Sequence, residues 1–205
     1  MPAQRPARPG APLASIRLLV LDVDGVLTDG RLYFGPEGEL CKSFHVRDGH
    51  GIKALLAAGV AVVVISGRQS EATRRRCEEL GIRHLRQGVA DKAVEFVSLA
   101  GQLGVPAEAC ACIGDDVTDV PVLAQAGLAV AVADAHPSAR AVAHRRTRAP
   151  GGAGAVREVC DWLLAARERA PGSRPPGSRA PGSRARATRA ARGSGRGRST
   201  LWSPG

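Results

Sequence analysis

Two carboxylates, one residue apart, close an apolar run: Leu18-Leu19-Val20-Leu21-Asp22-Val23-Asp24-Gly25-Val26-Leu27-Thr28-Asp29-Gly30. A short apolar stretch ended by glycine has the pattern of a buried strand. In a parallel α/β sheet the carboxyl end of such a strand opens onto the ligand crevice, so Asp22 and Asp24 would share its mouth. Carboxylates taken out of water repel one another and lose hydration unless something positive stands between them. A hard divalent cation held by oxygen ligands meets that need, and Mg2+ commonly brings a substrate phosphate with it. The plainer reading is an Asp-Gly turn that merely ends a strand, so residues elsewhere must decide.

Those residues come in order. Val60-Ala61-Val62-Val63-Val64-Ile65 has the pattern of a second buried strand and ends in Ser66-Gly67-Arg68. Asp91-Lys92 opens a helical pattern that runs to about Gln102, and Ala109-Cys110-Ala111-Cys112-Ile113 ends in Gly114-Asp115-Asp116-Val117-Thr118-Asp119. Apolar strands thus deliver a carboxylate pair, a hydroxyl and an acidic cluster, with a lysine at a helix start. Taken singly, Ser66 also fits a helix cap, Lys92 a solvated helix position, and Asp119 a cap of the helix after it. Three uncompensated carboxylates at a strand end have no comparable plain explanation.

The ordered set resembles the four motifs of the haloacid dehalogenase superfamily of aspartate-nucleophile phosphatases. The wording from Asp22 to Gly30, of Val46-Arg47-Asp48-Gly49-His50-Gly51-Ile52-Lys53, and of Gly151-Gly152-Ala153-Gly154-Ala155-Val156-Arg157-Glu158 is similar to one branch. That branch is the 3-deoxy-D-manno-octulosonate 8-phosphate (KDO 8-phosphate) phosphatases, which make a lipopolysaccharide sugar; the resemblance spans residues 15–169. It implies that Asp22 attacks phosphorus to form an aspartyl-phosphate, and that Asp24 serves as general acid and then base. It implies Mg2+ bound by the Asp22 carboxylate, the Asp24 backbone carbonyl and Asp115, with Asp116 nearby and Asp119 orienting Lys92 or a ligand water. Ser66 and Gly67 would meet a phosphate oxygen, Lys92 would neutralise the transferring group, and Arg68 with a neighbour's Arg157 would meet the substrate's anionic groups.

Asp24 and Gly67 lie 43 residues apart and Lys92 and Asp115 only 23, which leaves no room for an inserted cap domain. A bare site would be wet and unselective. The resemblance implies a homotetramer whose hairpins pack at subunit interfaces, with the Gly151-to-Glu158 segment able to reach a neighbour's site. The plainer reading of that segment is a glycine-rich lead into a C-terminal helix. Two other functions stay open: the same chemistry on nine-carbon sugar acid 9-phosphates of the sialic acid or KDN type, and a non-catalytic assembly domain like those joined to sugar cytidylyltransferases. The intact Asp22, Asp24, Lys92 and Asp115 argue against the second.

Alternating strand and helix patterns hold these residues and predict an α/β fold, a three-layer doubly wound parallel sheet with a small β-hairpin in place of a cap. The hairpin is read at 31–34 and 39–44 around Gly35-Pro36-Glu37-Gly38. Helices are predicted after Asp48 and Gly49 to about residue 58, over 69–80, from Lys92, after the acidic cluster with Pro121 in the first turn, and from 155 to about 167. A short, weakly signalled edge strand is predicted over 83–86 and another apolar strand over 128–133.

A length of 205 residues suits one domain with tails. The net charge of +10 lies entirely at the ends: eight arginines beyond residue 170, with Arg5 and Arg8, account for it and leave nineteen charges of each sign between. Residues 1–14 are expected to be a flexible lead-in, 15–169 the phosphatase domain, and 170–205 a disordered tail in which Pro-Gly-Ser-Arg recurs three times. Nucleic acid is therefore not expected as a partner of the fold; a weak grip on RNA or anionic membrane would belong to the tail. No run approaches the ~20 apolar residues of a membrane span, and residues 1–15 lack the apolar core of a secretory signal. Five cysteines, odd in number and without zinc-ligand spacing, suit thiols in a reducing cytoplasm. The five histidines are scattered and read as structural or surface residues.

Overall fold

The computed structural model describes residues 10–170. The expected basic tail and most of the lead-in lie outside them. From Gly10 onward the chain is tied to the fold: the Ala11 N–H donates to the Gly127 carbonyl at 2.7 Å.

Leu18, Leu19 and Leu21 form the central strand β1 (Leu18–Leu21) and are fully buried, as a strand covered on both faces requires. β4 (Ala61–Ile65) pairs with one edge of β1 and β6 (Cys110–Gly114) with the other, all parallel. β5 (His84–Arg86), β7 (Leu128–Ala131) and β8 (Arg145–Arg146) complete a six-stranded sheet of order β5-β4-β1-β6-β7-β8. Leu21 stands opposite Val64 on one side and Ile113 on the other. The three strands therefore end level, and the loops that leave them meet at one edge.

Helices α1 (Val46–Ala57), α2 (Glu71–Leu80), α3 (Lys92–Gln102), α4 (Val120–Gln125), α5 (Pro137–Val142) and α6 (Ala155–Arg169) cross between strands or flank them. Alanine, valine, leucine and isoleucine make almost the whole core, with Phe96 the one fully buried aromatic ring among the described residues. β2 (Tyr33–Gly35) and β3 (Gly38–Cys41) form the separate antiparallel hairpin.

One element expected from the sequence is corrected, and two others were not expected. α1 begins at Val46, so Asp48 and Gly49 lie within it rather than before it. Both its inner glycines sit where neighbours press close: a Cβ on Gly51 would come within 2.9 Å of Arg157 Cδ, and one on Gly49 within 2.9 Å of Leu80 Cδ2. Glycine here permits helix contact rather than ending a helix. α5 and β8 have no counterpart among the expected elements. α5 has a single turn and a half capped by His136, whose Nδ1 accepts from the Ser138 N–H at 3.2 Å, and β8 is two exposed arginines with no hydrophobic signal.

Cys77, Cys110, Cys112 and Cys160 are buried and Cys41 is exposed, all as free thiols. Burial pushes the Cys77 thiol up to about 11 and the Cys160 thiol to about 12, which keeps them unreactive. No helix among the described residues is long and apolar enough to cross a membrane.

Candidate active site

The level ends of β1, β4 and β6 carry Asp22, Ser66 and Asp115 to the rim of one cleft of about 570 Å3. Asp24, Gly67, Arg68 and Lys92 line the same cleft, as does Asp116. Each arrives for a local reason. After Asp22 the chain folds back tightly: the Leu27 and Thr28 N–H groups both donate to the Val23 carbonyl, at 2.9 and 3.0 Å. Gly25 takes a φ of 91°, and a Cβ there would overlap Asp115 Oδ2. Only glycine lets the β6 carboxylate lie against that loop. Asp91 caps α3 by accepting from the Ala93 and Val94 N–H groups at 2.9 and 3.1 Å, which fixes Lys92 as the first helical residue.

Lys92 is the electrostatic centre. Its Nζ lies 2.8 Å from Asp22 Oδ1 and 2.8 Å from Asp119 Oδ1. Burial opposes the ammonium, but the two carboxylates outweigh it and hold its pKa above the ordinary lysine value. Asp119 is itself anchored, since Oδ2 accepts from the Asp115 and Asp116 N–H groups at 2.9 and 3.3 Å. It thus orients both the lysine and the acidic loop. It does not act as a side-chain cap of α4. Asp116 is exposed and its Oδ1 accepts from the Val117 N–H at 2.7 Å, holding the turn that carries Asp119.

The remaining charge is uncompensated. Asp22, Asp115 and Asp119 can bring ligand oxygens within 4.8 Å of one another, a group able to hold a metal ion. Burial, the Asp119 charge and then Lys92's opposing pull leave the Asp22 carboxyl at about 6. Asp115 is pushed up to about 8 by burial and by the charges of Asp22, Asp119 and Asp116. Asp115 Oδ1 is buried with no hydrogen-bond partner. An oxygen-lined pocket with excess negative charge and an orphaned carboxylate oxygen fits a hard divalent cation. Because both Asp119 oxygens already accept hydrogen bonds, Asp22 and Asp115 are the side chains best placed to hold it.

Ser66 is buried, and its Oγ accepts from the Arg68 N–H at 3.2 Å. The cap of α2 is Ser70 instead, accepting from the Thr73 N–H. Arg157 does not line this cleft. Its N–H donates to Asp48 Oδ1 at 2.7 Å, and its Nε donates to Asp161 Oδ1 at 2.7 Å. The Gly151-Gly152 turn packs inside its own chain against the loop that follows β1: a Cβ on Gly151 would overlap the Gly25 carbonyl oxygen, and the Gly152 N–H donates to the Val26 carbonyl at 3.0 Å.

Two charged residues at the site carry no mark in the sequence. Lys42, just past β3, reaches Asp24 Oδ1, and Glu39 on β3 lies 3.3 Å from the same Nζ. No local pattern singles them out, because a hairpin's fold-back is not encoded in the spacing of its own residues.

The chain is similar to known proteins. A family model for haloacid dehalogenase-like hydrolases matches residues 85–156, the stretch that carries Lys92, Asp115 and Asp119. The chain is 50% identical over 160 residues to the 3-deoxy-D-manno-octulosonate 8-phosphate phosphatase KdsC of Yersinia pestis, covering 78% of this chain and 86% of that protein. It also matches the crystal structure of a 3-deoxy-D-manno-octulosonate 8-phosphate phosphatase from Moraxella catarrhalis in complex with magnesium, phosphate and KDO. There the TM-score is 0.74 at 41% identity, over 76% of this chain and 90% of that one. The cobalt-bound form of the deoxy-D-mannose-octulosonate 8-phosphate phosphatase YrbI from Haemophilus influenzae aligns with a TM-score of 0.75 at 45% identity, over 76% of this chain and 91% of that one.

Proposed function

The chain belongs to the 3-deoxy-D-manno-octulosonate 8-phosphate phosphatase family of haloacid dehalogenase-like hydrolases, and on that premise we propose that it hydrolyses KDO 8-phosphate to KDO and inorganic phosphate, with Mg2+ as cofactor, in lipopolysaccharide precursor synthesis. The observation that carries this reading is the Asp22-Lys92-Asp119 chain beside an Asp115 whose buried Oδ1 has no hydrogen-bond partner.

A phosphomonoester is a dianion, so an anionic nucleophile reaches it only after charge is neutralised. Mg2+, held by Asp22, Asp115 and the Asp24 carbonyl, supplies part of that neutralisation when bound. Lys92 supplies the rest from the protein, and Asp119 keeps its ammonium aimed at Asp22. Ser66 Oγ and the Gly67 backbone hold a phosphate oxygen. In the first step an Asp22 carboxylate oxygen bonds to phosphorus as the bond to the sugar oxygen breaks, and the proton of Asp24 passes to that oxygen. In the second, water attacks phosphorus and gives a proton to Asp24, and the acyl-phosphate bond breaks to free inorganic phosphate and the Asp22 carboxylate. Arg68, 43% exposed at the rim, is positioned to meet the sugar acid's anionic groups; the partner subunit's copy of Arg157 is proposed as a second such contact.

The working unit is proposed to be a cytoplasmic homotetramer. The hairpin supports it: Phe34 is 60% and Leu40 69% exposed, and an isolated two-stranded hairpin with bare apolar groups is marginal in water. Light scattering should give the mass of four chains, and a fully active monomer would refute a shared site.

The test of substrate is phosphate release with Mg2+ from KDO 8-phosphate, nine-carbon sugar acid 9-phosphates and hexose 6-phosphates. KDO 8-phosphate should give the highest kcat/KM. A clearly higher value for a nine-carbon or hexose phosphate would overturn the assignment.

A further inference from the structure

Asp24 does not belong to the carboxylate group around Lys92. It has a cation of its own, delivered from the hairpin. Lys42 Nζ contacts Asp24 Oδ1 and lies 3.3 Å from Glu39 Oε2, and its side chain is only 2% exposed. Ser70 Oγ donates to Glu39 Oε1. Arg68 stands further off, with Nε 3.8 Å from Asp24 Oδ2 and Nη2 3.6 Å from Glu39 Oε2. Its guanidinium also lies 5.9 Å above the Phe34 ring of the hairpin.

A buried ammonium is costly unless its partners are well placed, and both partners of this one are carboxylates, one on the hairpin and one on the nucleophile loop. Glu39, held by Ser70 at the start of α2, fixes the lysine. The lysine in turn takes Oδ1 of Asp24, which leaves Oδ2 as the oxygen without a close cation. A general acid works only when its proton lies on the line to the leaving oxygen, and an ångström of misplacement is expensive.

We propose that Lys42 is a positioning residue for Asp24, so that the β2–β3 hairpin, through Glu39 and Lys42, sets the orientation of the acid that protonates the leaving group. This rests on the phosphatase reading above and deepens it. A lysine that merely fastened the hairpin would affect all substrates alike. One that acts through Asp24 matters most for a sugar phosphate, whose alkoxide needs a proton to leave, and least for p-nitrophenyl phosphate, whose phenolate leaves without one.

The test compares kcat/KM, which covers the steps through departure of the leaving group, for both substrates in the full chain with Mg2+. Lys42→Met should lose on the order of 10²-fold on KDO 8-phosphate but only severalfold on p-nitrophenyl phosphate. Asp24→Asn should show the same split, and adding Lys42→Met to it should cost little more. Glu39→Gln, a milder change that keeps the lysine, should show a smaller version of the split should Lys42→Met fail to fold. Equal losses on the two substrates, or losses from Lys42 and Asp24 that simply multiply, would overturn the inference while leaving the phosphatase reading intact. No turnover of KDO 8-phosphate by the unaltered protein would overturn both.

Discussion

Asp22→Asn is expected to remove phosphate release from KDO 8-phosphate by ~10⁴-fold or more, the scale on which enzymes lose turnover with their nucleophile. An amide has no charge with which to attack phosphorus. Little else changes: Lys92 keeps its 2.8 Å partner Asp119, and Asp119 keeps the Asp115 and Asp116 N–H groups. The fold should survive, because the carboxyl removed is one that burial and Asp119 already hold up at about 6. The metal-free variant should therefore melt no lower than the unaltered protein above pH 6. A variant that is folded and retains near-normal turnover would eliminate Asp22 as the nucleophile.

Asp115→Asn should affect activity and stability in opposite directions. Lost Lewis-acid assistance of several kcal/mol corresponds to a fall of ~10²–10³-fold in kcat/KM. Treating the unaltered protein with EDTA should silence it too, and added Mg2+ should restore it. Without metal, however, the variant should be the more stable protein. Burial and the charges of Asp22, Asp119 and Asp116 push the Asp115 carboxyl up to about 8 in the folded chain, against an ordinary 3.8. Between those values the folded state holds a proton that the unfolded state has released, so stability falls as pH rises from about 4 to about 8. Asparagine removes that slope, apart from the smaller share of Asp22 up to about 6. A cation that binds only the folded chain raises Tm, and the rise should grow with pH in the unaltered protein and be lost in the variant. A variant that keeps both the Mg2+-dependent rise in Tm and full turnover would show that Asp115 is not a ligand.

The site is legible in the sequence to the extent that its residues terminate regular elements. Asp22, Ser66 and Asp115 each come directly after a buried apolar strand, and Lys92 opens a helix behind its capping aspartate. Strand ends in a parallel sheet converge, so order along the chain becomes proximity in space. The glycines of α1 mislead because the sequence shows the break they permit but not the helices that press on them. α5 and β8 are too short to leave a period. Lys42 and Glu39 are invisible for a different reason: their role depends on where the hairpin lies, which is a tertiary fact.

Mass spectrometry of the full chain quenched with borohydride during turnover of KDO 8-phosphate and Mg2+ tests the phosphoryl acceptor most directly, since borohydride reduces an aspartyl-phosphate to homoserine. Homoserine should appear at position 22 alone, should require both substrate and Mg2+, and should be absent from Asp22→Asn. Phosphate release with no homoserine at position 22, or with homoserine at position 24 or 115, would contradict hydrolysis through Asp22.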